Sequence, residues 1–455
     1  MERTPGSKLM IAILVAALLS IPLFAIYLLV YDRQDQSQTA RASIAEGWGG
    51  PQTIAGPVLV LPYEQQVTET VTENGRQVTR TNTVARELTL APEVADVTTE
   101  VKPERRRRSI YEAVLFEARV SGTARFALPA DLARSGVRPE QLFYDRAELR
   151  FGLRDARGLF GTPPAVQVDG RRLVLQPGKG LPSTNRSGFF TWLDAAPIRE
   201  RAMTAQFSFA FRGNGWLALA PQAGDTRWRV TSRWPHPSFQ GGFLPVTQSV
   251  SDQGFGATWR IGNLALGRAL FSSDVEAGTA SDAVSNRYDT AQAAGDYEAR
   301  VDLFAPVDLY SQVNRSVKYG FLFIGFTFMA FLMFDVIAGV RVAMVEYLLV
   351  GAGLVLFFVM LLAFAEVVGF AAAYVIAAAA IIALLTAYSA AVLKSWRRGG
   401  YIAALLAALY GVLYVLLSLE AYSLLIGALL LFAALAGVMY LTRNLDWSGL
   451  RREPA

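Results

Sequence analysis

Few side chains in this 455-residue sequence have the chemistry for catalysis. There is no cysteine, which excludes disulfide bonds, thiolate metal sites and thiol nucleophiles. The single histidine, His236, excludes a histidine-rich zinc site. The sequence lacks a G-x-S-x-G nucleophile motif, and Gly178-Lys179-Gly180 lacks the spacing and the Ser or Thr of a phosphate-binding loop. We therefore predict a protein that is not an enzyme and that binds no cofactor and no metal.

His236 lies between two prolines, so we predict that it sits on a rigid, extended turn. It is either a pH-sensitive or ligand-binding imidazole, or a surface histidine without a special role. We favour the second interpretation because no other histidine can share a metal ion with it. Trp234 and Ser238 flank it as further candidate functional residues. The three prolines of segment 234–245 predict an ordered, non-repetitive loop that buries Trp234, not an interior strand.

A second candidate site is the motif W-G-G-P-Q at positions 48–52, with Trp48, Gly49, Gly50 and Gln52 as its candidate functional residues. Its glycines permit positive φ or the close approach of another backbone, and its proline stiffens the run. The motif is either a binding platform close to the membrane or the first strand of a sheet domain, with Trp48 near the membrane interface. We favour the structural interpretation.

Four charged residues lie in or beside long apolar runs, namely Asp335, Arg341, Glu366 and Glu420. A charge in the hydrocarbon core costs about 2.5–3.5 kcal/mol at the centre of a span and less near its edge. Because the acidic residues fall near the edges of the predicted spans, we interpret them as interface markers. The alternative pairs Asp335 with Arg341, whose spacing of six residues does not suit one helix.

The basic run Arg105–Arg108 also has two interpretations. It is either a surface for anionic lipid headgroups or acidic glycans, or a solvated turn between strands. We favour the turn.

The elements that must position these residues fall into a membrane part and a soluble part. Charged residues concentrate between positions 32 and 315, and long apolar runs lie outside that stretch. The net charge of +5 belongs mostly to the membrane part and does not indicate nucleic acid. The first apolar run, Leu9–Tyr31, would cover about 34 Å as a helix. We predict a membrane anchor here, since the apolar region of the alternative, a cleaved signal peptide, is typically about 7–15 residues long.

The C-terminal third predicts five spans, at 319–340, 344–366, 370–393, 401–419 and 421–441. With both termini in the cytoplasm, the basic residues of every short loop fall inside. The large domain is then periplasmic and the protein resides in the bacterial inner membrane. The predicted domains are an N-terminal anchor at 1–31, a periplasmic β-rich domain at 32–317, a five-span domain at 318–443 and a cytoplasmic tail at 444–455.

The soluble part is predicted to be built from short strands. Apolar and charged residues alternate in Ala147–Leu153, and also in Tyr111–Val120 and Thr123–Leu128 with a turn at Ser121-Gly122. The predicted fold class is a membrane protein of the α+β type. A large β-sandwich-like extracytoplasmic domain follows the first transmembrane helix, and a five-helix transmembrane bundle ends the chain.

Several segments resemble the CreD family of inner-membrane proteins. They are WGGPQTIAGPVLVLPY at 48–63, RRRSIYE at 106–112, SRWPHPSFQGGFLP at 232–245, PVDLY at 306–310, RSVKYG at 315–320, EYLLVG at 346–351 and EVVGF at 366–370. The sequence departs from the family pattern at Ser109 in place of Gly, Glu346 in place of Gln and Val367 in place of His. The loss of that histidine argues against a proton relay built on a Glu–His pair.

The resemblance implies a role and not a reaction. The family is associated with the CreBC two-component system, with cell-envelope integrity and with tolerance to colicins and β-lactams. We therefore expect a non-enzymatic protein of the envelope stress response, with the lipid bilayer and other envelope proteins as partners. Two alternatives stay open, namely transport or membrane insertion, with a layout like that of YidC-type insertases, and an enzyme of envelope lipids or glycans.

Overall fold

The computed structural model describes residues 5–73, 76–108, 111–135, 137–273, 297–303, 309–337, 344–392, 395–418 and 423–443. The chain divides into two compact units, which are Met1–Thr39 with Val307–Ala455, and Ala40–Pro306. The first unit is helical and the second consists mainly of strands. The predicted Asp335 side chain is not described, and Arg341 and Glu420 lie outside the described residues.

The helices in chain order are α1 (Pro5–Glu46), α2 (Asn263–Leu266), α3 (Leu309–Ile337), α4 (Met344–Val368), α5 (Phe370–Val392), α6 (Trp396–Ser418) and α7 (Ser423–Thr442). Among the described residues, α1, α4, α5 and α6 are long and apolar enough to cross a membrane. The predicted N-terminal apolar helix is thereby found. Within the described residues, three C-terminal helices meet this criterion and not the five predicted.

The first helix is longer than the predicted anchor. The apolar run ends at Tyr31, but α1 continues through a polar segment to Glu46. That segment contains neither glycine nor proline, so nothing in it opposes helical backbone. The helix ends directly before Gly47, where glycines at 47, 49 and 50 make the backbone permissive.

The strands of the second unit are β1 (Gln52–Glu73), β2 (Arg76–Leu90), β3 (Val94–Arg108), β4 (Tyr111–Phe126), β5 (Ala147–Leu153), β6 (Ala165–Val168), β7 (Arg171–Arg172), β8 (Gln176–Pro177), β9 (Gly188–Leu193), β10 (Met203–Asn214), β11 (Trp216–Ala220), β12 (Asp225–Ser232), β13 (Pro237–Gly241), β14 (Thr247–Ser251), β15 (Gly254–Gly262), β16 (Phe271–Ser273) and β17 (Ala299–Leu303). The predicted strand at Ala147–Leu153 is confirmed as β5.

These strands form two sheets in the described part of the chain. Sheet A has nine strands, with the order β13-β17-β11-β1-β5-β9-β8; in addition, β2 pairs with β1, and β16 pairs with β2. Sheet B has eight strands, with the order β14-β15-β12-β3-β4-β10-β6-β7. Strand β1 pairs with β2 and β5 in antiparallel and with β11 in parallel. The first strand of the domain is therefore an interior strand of sheet A.

One continuous apolar core joins the two sheets. Phe151 of sheet A packs edge-on against Phe207 of sheet B, with ring centroids 5.4 Å apart. Trp228 and Trp259 of sheet B are fully buried and lie 4.6 Å apart. The alternating strand patterns of the sequence place these apolar side chains on the facing surfaces of the sheets.

Two local predictions were wrong. The turn predicted at Ser121-Gly122 does not exist, because β4 runs unbroken through it. A Cβ atom on Gly122 would lie 2.5 Å from Cζ of Phe207, so packing and not a turn explains this glycine. The run Arg105–Arg108 is not a turn either: it is the end of β3, paired with the start of β4.

Candidate functional site

The W-G-G-P-Q motif lies between the end of α1 and the start of β1. Its last residue, Gln52, is fully buried. Its Nε2 donates hydrogen bonds to the carbonyl oxygens of Asp155 (3.1 Å) and Arg212 (2.9 Å). Its Oε1 accepts a hydrogen bond from the N–H of Asp155 (3.1 Å). One side chain therefore satisfies three backbone groups that lie 103 and 160 residues away in sequence.

The two glycines of the motif allow the chain to pass close to β10. Gly49 has a φ of +117°, and a Cβ atom there would lie 2.9 Å from the carbonyl oxygen of Arg212. The side chain of Asn214 donates a hydrogen bond to the carbonyl oxygen of Gly49 (3.0 Å), and Gly50 donates its N–H to Oδ2 of Asp155 (3.2 Å). We call Trp48, Gly49, Gly50, Gln52, Asp155 and Arg212 the Trp48 junction.

The indole of Trp48 contacts two guanidinium groups. The Cζ atoms of Arg106 and Arg212 lie 3.7 Å and 3.9 Å from its ring centroid, the distances of cation–π contacts. Each arginine also has a carboxylate partner, Glu104 for Arg106 and Glu117 for Arg212, both at 3.1 Å. Arg106 of the basic run in β3 therefore makes intramolecular contacts.

Asp155 is the ionised group of the junction. Hydrogen bonds from the Arg157 side chain, and from the backbone N–H groups of Gly50 and Arg157, lower the pKa of this carboxyl against the opposing effect of burial. The junction therefore holds an ionised, fully bonded carboxylate. The junction is a structural latch, because its hydrogen bonds connect the segment at the start of β1 with the loop after β5 and with β10.

Segment 234–245 contains an edge strand and not only a loop. Trp234 is buried, as predicted, and its Nε1 donates a hydrogen bond to the carbonyl oxygen of His236 (3.0 Å). His236 itself is exposed. Ser238 lies in β13, which pairs with β17 at the end of sheet A. Proline is tolerated at the first residue of such an edge strand, which is where Pro237 stands.

A second polar cluster crosses sheet A. Nη2 of Arg150 lies 2.7 Å from a carboxylate oxygen of Glu87 and 2.7 Å from one of Glu148, and Lys179 also pairs with Glu148. Burial raises the pKa of Glu148, but hydrogen bonds from Lys179 and Arg150 outweigh it, so the net pKa lies below its usual range. Lys179 is therefore an ion-pair partner and not a free base.

In contrast to Glu148, Glu298 has a pKa above its usual value. It is buried directly before β17, and burial raises the pKa of its carboxyl although the charges of Arg154 and Arg300 oppose the effect. Both arginines also stack on Trp216, with Cζ 5.2 Å and 4.4 Å from the ring centroid.

The outer face of sheet B has an open polar depression of about 450 Å³. Gly122 and Phe207 contribute to its lining, and hydroxyl, amide and carboxylate groups come from Asp96, Thr98, Ser121, Thr123, Gln206 and Ser208. These groups can hydrogen-bond water or a hydroxyl-rich ligand. Within the described ranges, no three acidic or histidine side chains are grouped so that they could hold a metal ion.

Of the four predicted membrane residues, only the side chain of Glu366 is described. Glu366, near the end of α4, accepts a hydrogen bond from the hydroxyl group of Tyr310 in α3 (3.1 Å). The proposed pairing of Asp335 with Arg341 falls on residues whose side chains are not described.

The sequence did not indicate three of these groups. Asp155, Glu148 and Glu298 were not candidates, because part of the surroundings of each comes from residues that are distant in sequence. These are Gly50 for Asp155, Lys179 for Glu148 and Arg154 for Glu298. A local signal existed only for Glu148: it stands in the alternating strand A-E-L-R-F-G-L at positions 147–153, where only Arg150 is not fully buried. A charged residue at a buried strand position indicates a buried ion pair.

Comparisons with known proteins agree with this architecture. A family model described as "Inner membrane protein CreD" matches residues 4–448. The curated protein named "Inner membrane protein CreD" of Escherichia coli (strain K12) is 32% identical over 433 residues. These residues cover 94% of this chain and 91% of that protein. The similarity therefore extends through the helical unit and the sheet unit alike.

Proposed function

The chain belongs to the CreD family of inner membrane proteins, and on this premise we propose that it is a non-enzymatic membrane protein that supports the integrity of the cell envelope. In this role the sheet domain is a scaffold outside the cytoplasm. Its partners are the lipid bilayer and other envelope proteins. Transport or membrane insertion, and an enzyme of envelope lipids or glycans, stay as alternative predictions.

The observation that supports the non-enzymatic role is the pairing of two carboxylates of the sheet domain, Glu148 and Asp155, with basic side chains. Glu148 is neutralised by Arg150 and Lys179, and Asp155 accepts hydrogen bonds from Arg157. A general acid or base works best when its pKa lies near the operating pH. The lowered pKa values of Glu148 and Asp155 suit permanent ion pairs and not proton transfer.

The proposed topology has α1 and all five C-terminal helices as membrane spans, with both termini in the cytoplasm and the sheet domain in the periplasm. It is supported by the positions of the basic residues in the short segments. The segments assigned to the inside carry Arg3, Lys8, Arg341, Lys394, Arg397, Arg398, Arg443, Arg451 and Arg452. The segments assigned to the outside turns carry Glu366 and Glu420.

Because the chain contains no cysteine, single cysteines can be introduced to test this topology without first removing native ones. We expect Ser208→Cys, at an exposed position of β10, to react with a membrane-impermeant maleimide in cells whose outer membrane alone is permeabilised. Ala455→Cys should react only after the inner membrane is broken. Labelling of Ala455→Cys before lysis would show that the number of C-terminal spans is not odd.

Complementation of a deletion strain tests the non-enzymatic role. We expect Asp96→Asn, Glu117→Gln and Glu298→Gln to restore tolerance to envelope stress as well as the unchanged chain does, provided that each accumulates normally. Each change removes a carboxylate while keeping its size. A variant that accumulates and folds but fails to complement would identify a reacting carboxylate and support the enzyme alternative.

A further inference from the structure

The strand orders of the two sheets have five ends in the described residues, and four of them carry features that oppose further pairing. In sheet A, β13 begins with Pro237, β8 is a two-residue strand that contains Pro177, and β16, which pairs with β2, has only three residues. In sheet B, β7 has two residues and both are arginines. The fifth end is β14, of sequence T-Q-S-V-S, which has five residues, no charge and no proline. It is the least protected of these ends.

Strand β14 also exposes apolar groups on the side of the sheet that faces the core. Gln248 and Val250 pair with Ala257 and Phe255 of β15, which are buried core residues. Residues directly opposite one another in a sheet share a face, so Gln248, Val250 and Val246, two positions earlier, point to the core side. Val246 and Val250 are nevertheless 69% and 52% exposed. The core ends at β15, and the sheet extends beyond it.

We propose that β14 is the docking strand for a second copy of this chain. The two β14 strands pair antiparallel across a two-fold axis at Ser249, which joins the two B sheets edge to edge. A two-fold interface uses the same patch on both subunits, so the patch must be complementary to itself.

The sequence of β14 meets this condition on both faces. Pairing at Ser249 sets Thr247 opposite Ser251 of the other copy, and Ser249 opposite itself, so that hydroxyl groups meet on the outer face. On the core side Gln248 lies opposite Val250, and Val250 is a diagonal neighbour of Val246 and Val250 of the other copy. No like charges are opposed within the strand.

A strand pair of this length is a small interface, so its association in dilute solution is weak. Confinement to a membrane raises the effective concentration of the two copies. The test therefore uses the full chain in native membranes and exploits its lack of cysteine.

Single cysteines are introduced at positions 247–251, and membranes are treated with a mild oxidant. We expect Ser249→Cys to give the highest yield of covalent dimer. Opposite Cα atoms of an antiparallel pair are about 4.5–5.5 Å apart, within the range for a disulfide. Co-expression of Gln248→Cys with Val250→Cys should give a mixed dimer. Ser208→Cys, exposed on the outer face of the same sheet, is the control, because its dimer yield measures crosslinking by random collision.

The variant Val250→Lys, combined with Ser249→Cys, is the matched control. Two lysines near the two-fold axis repel one another and remove the apolar contact, so the dimer yield should fall at least tenfold, to the level of Ser208→Cys. Equal yields at all five positions and at Ser208→Cys would overturn the proposal. So would crosslinks to a different protein, or a yield from Ser249→Cys that Val250→Lys leaves unchanged.

Discussion

Single buried polar side chains connect segments of this protein that are remote in sequence. Gln52 uses its whole amide group on backbone partners at Asp155 and Arg212. The sequence indicated that the W-G-G-P-Q motif matters, through its glycines and its proline. It did not indicate those partners, because hydrogen bonds across 103 and 160 residues leave no local pattern.

We expect Gln52→Ala to destabilise the protein strongly. The change removes the Gln52 partner of the Asp155 N–H and of the Arg212 carbonyl oxygen, and each buried group left unpaired costs about 1–3 kcal/mol. The carbonyl oxygen of Asp155 still accepts a hydrogen bond from the N–H of Gly158. The thermal midpoint of the purified full chain in detergent is the measurement. Gln206→Ala, at an exposed position of β10, is the control and should leave the midpoint nearly unchanged. Equal midpoints for the two variants would refute the latch role of Gln52.

The buried carboxyl of Glu298 predicts an unusual dependence on pH. Because its pKa is raised in the folded state, it contributes stability at low pH that is lost as the pH rises through the folded pKa. Glu298→Gln should therefore raise the thermal midpoint at neutral pH, and the gain should vanish in acid.

Glu148→Gln should have the opposite effect on the thermal midpoint to Glu298→Gln. The pKa of Glu148 is lowered in the folded state, so its contribution is present above the ordinary value of 4.5 and is lost as the pH falls through the folded pKa. Its variant should be less stable at neutral pH, with the difference shrinking in acid. Midpoint shifts of the same sign for both variants at neutral pH would contradict this account.

At the scale of elements, alternation identified strands well and their limits poorly. Ala147–Leu153 was predictable because apolar residues recur at every second position of its sequence A-E-L-R-F-G-L, although the structure buries every residue of the strand except Arg150. The turn at Ser121-Gly122 was predicted wrongly because the sequence does not distinguish a glycine that packs against an aromatic ring, here that of Phe207, from a glycine in a turn. The prolines of segment 234–245 predict a loop, but part of the segment is the edge strand β13, because an edge strand can begin with proline. Pairing order depends on distant strands and was not predictable.

Trp234 anchors the start of β13, and His236 does not. We expect Trp234→Ala to cost about 3–5 kcal/mol of folding free energy, as for other buried tryptophans. His236→Ala should cost little because its side chain is exposed and only its carbonyl group accepts the bond from Trp234. Denaturant midpoints of both variants test this. A His236→Ala protein of normal stability that no longer complements a deletion strain would place a binding site here instead.

At the scale of the whole molecule, the chain consists of a helical unit and a sheet unit that are each compact. The composition predicted this division, since charged residues concentrate between 32 and 315. The sheet unit has a continuous core of its own, which includes Trp228, Phe116 and Phe151.

We therefore expect residues 40–306, expressed with an export signal, to fold as a soluble, β-rich domain. A core drawn from both sheets supplies the apolar burial that independent folding requires. Circular dichroism gives the measurement, and cooperative thermal unfolding is the control for a folded state. A spectrum dominated by helix, or aggregation without a cooperative transition, would show that the domain depends on the rest of the chain.

Because β1 is an interior strand of sheet A, it pairs with strands that the ribosome makes much later. Its neighbour β11 is made long after it, and β17, which pairs with β11, ends at Leu303, just before α3 begins. Ribosomes add about 5–20 residues per second, so roughly 12–50 s separate the emergence of Gln52 from that of Leu303. Until β11 ends at Ala220, β1 lacks one of its neighbouring strands, and for the rest of the interval β11 lacks β17. The nascent domain is then a natural substrate for chaperones, until the last strand and the first C-terminal helix arrive almost together.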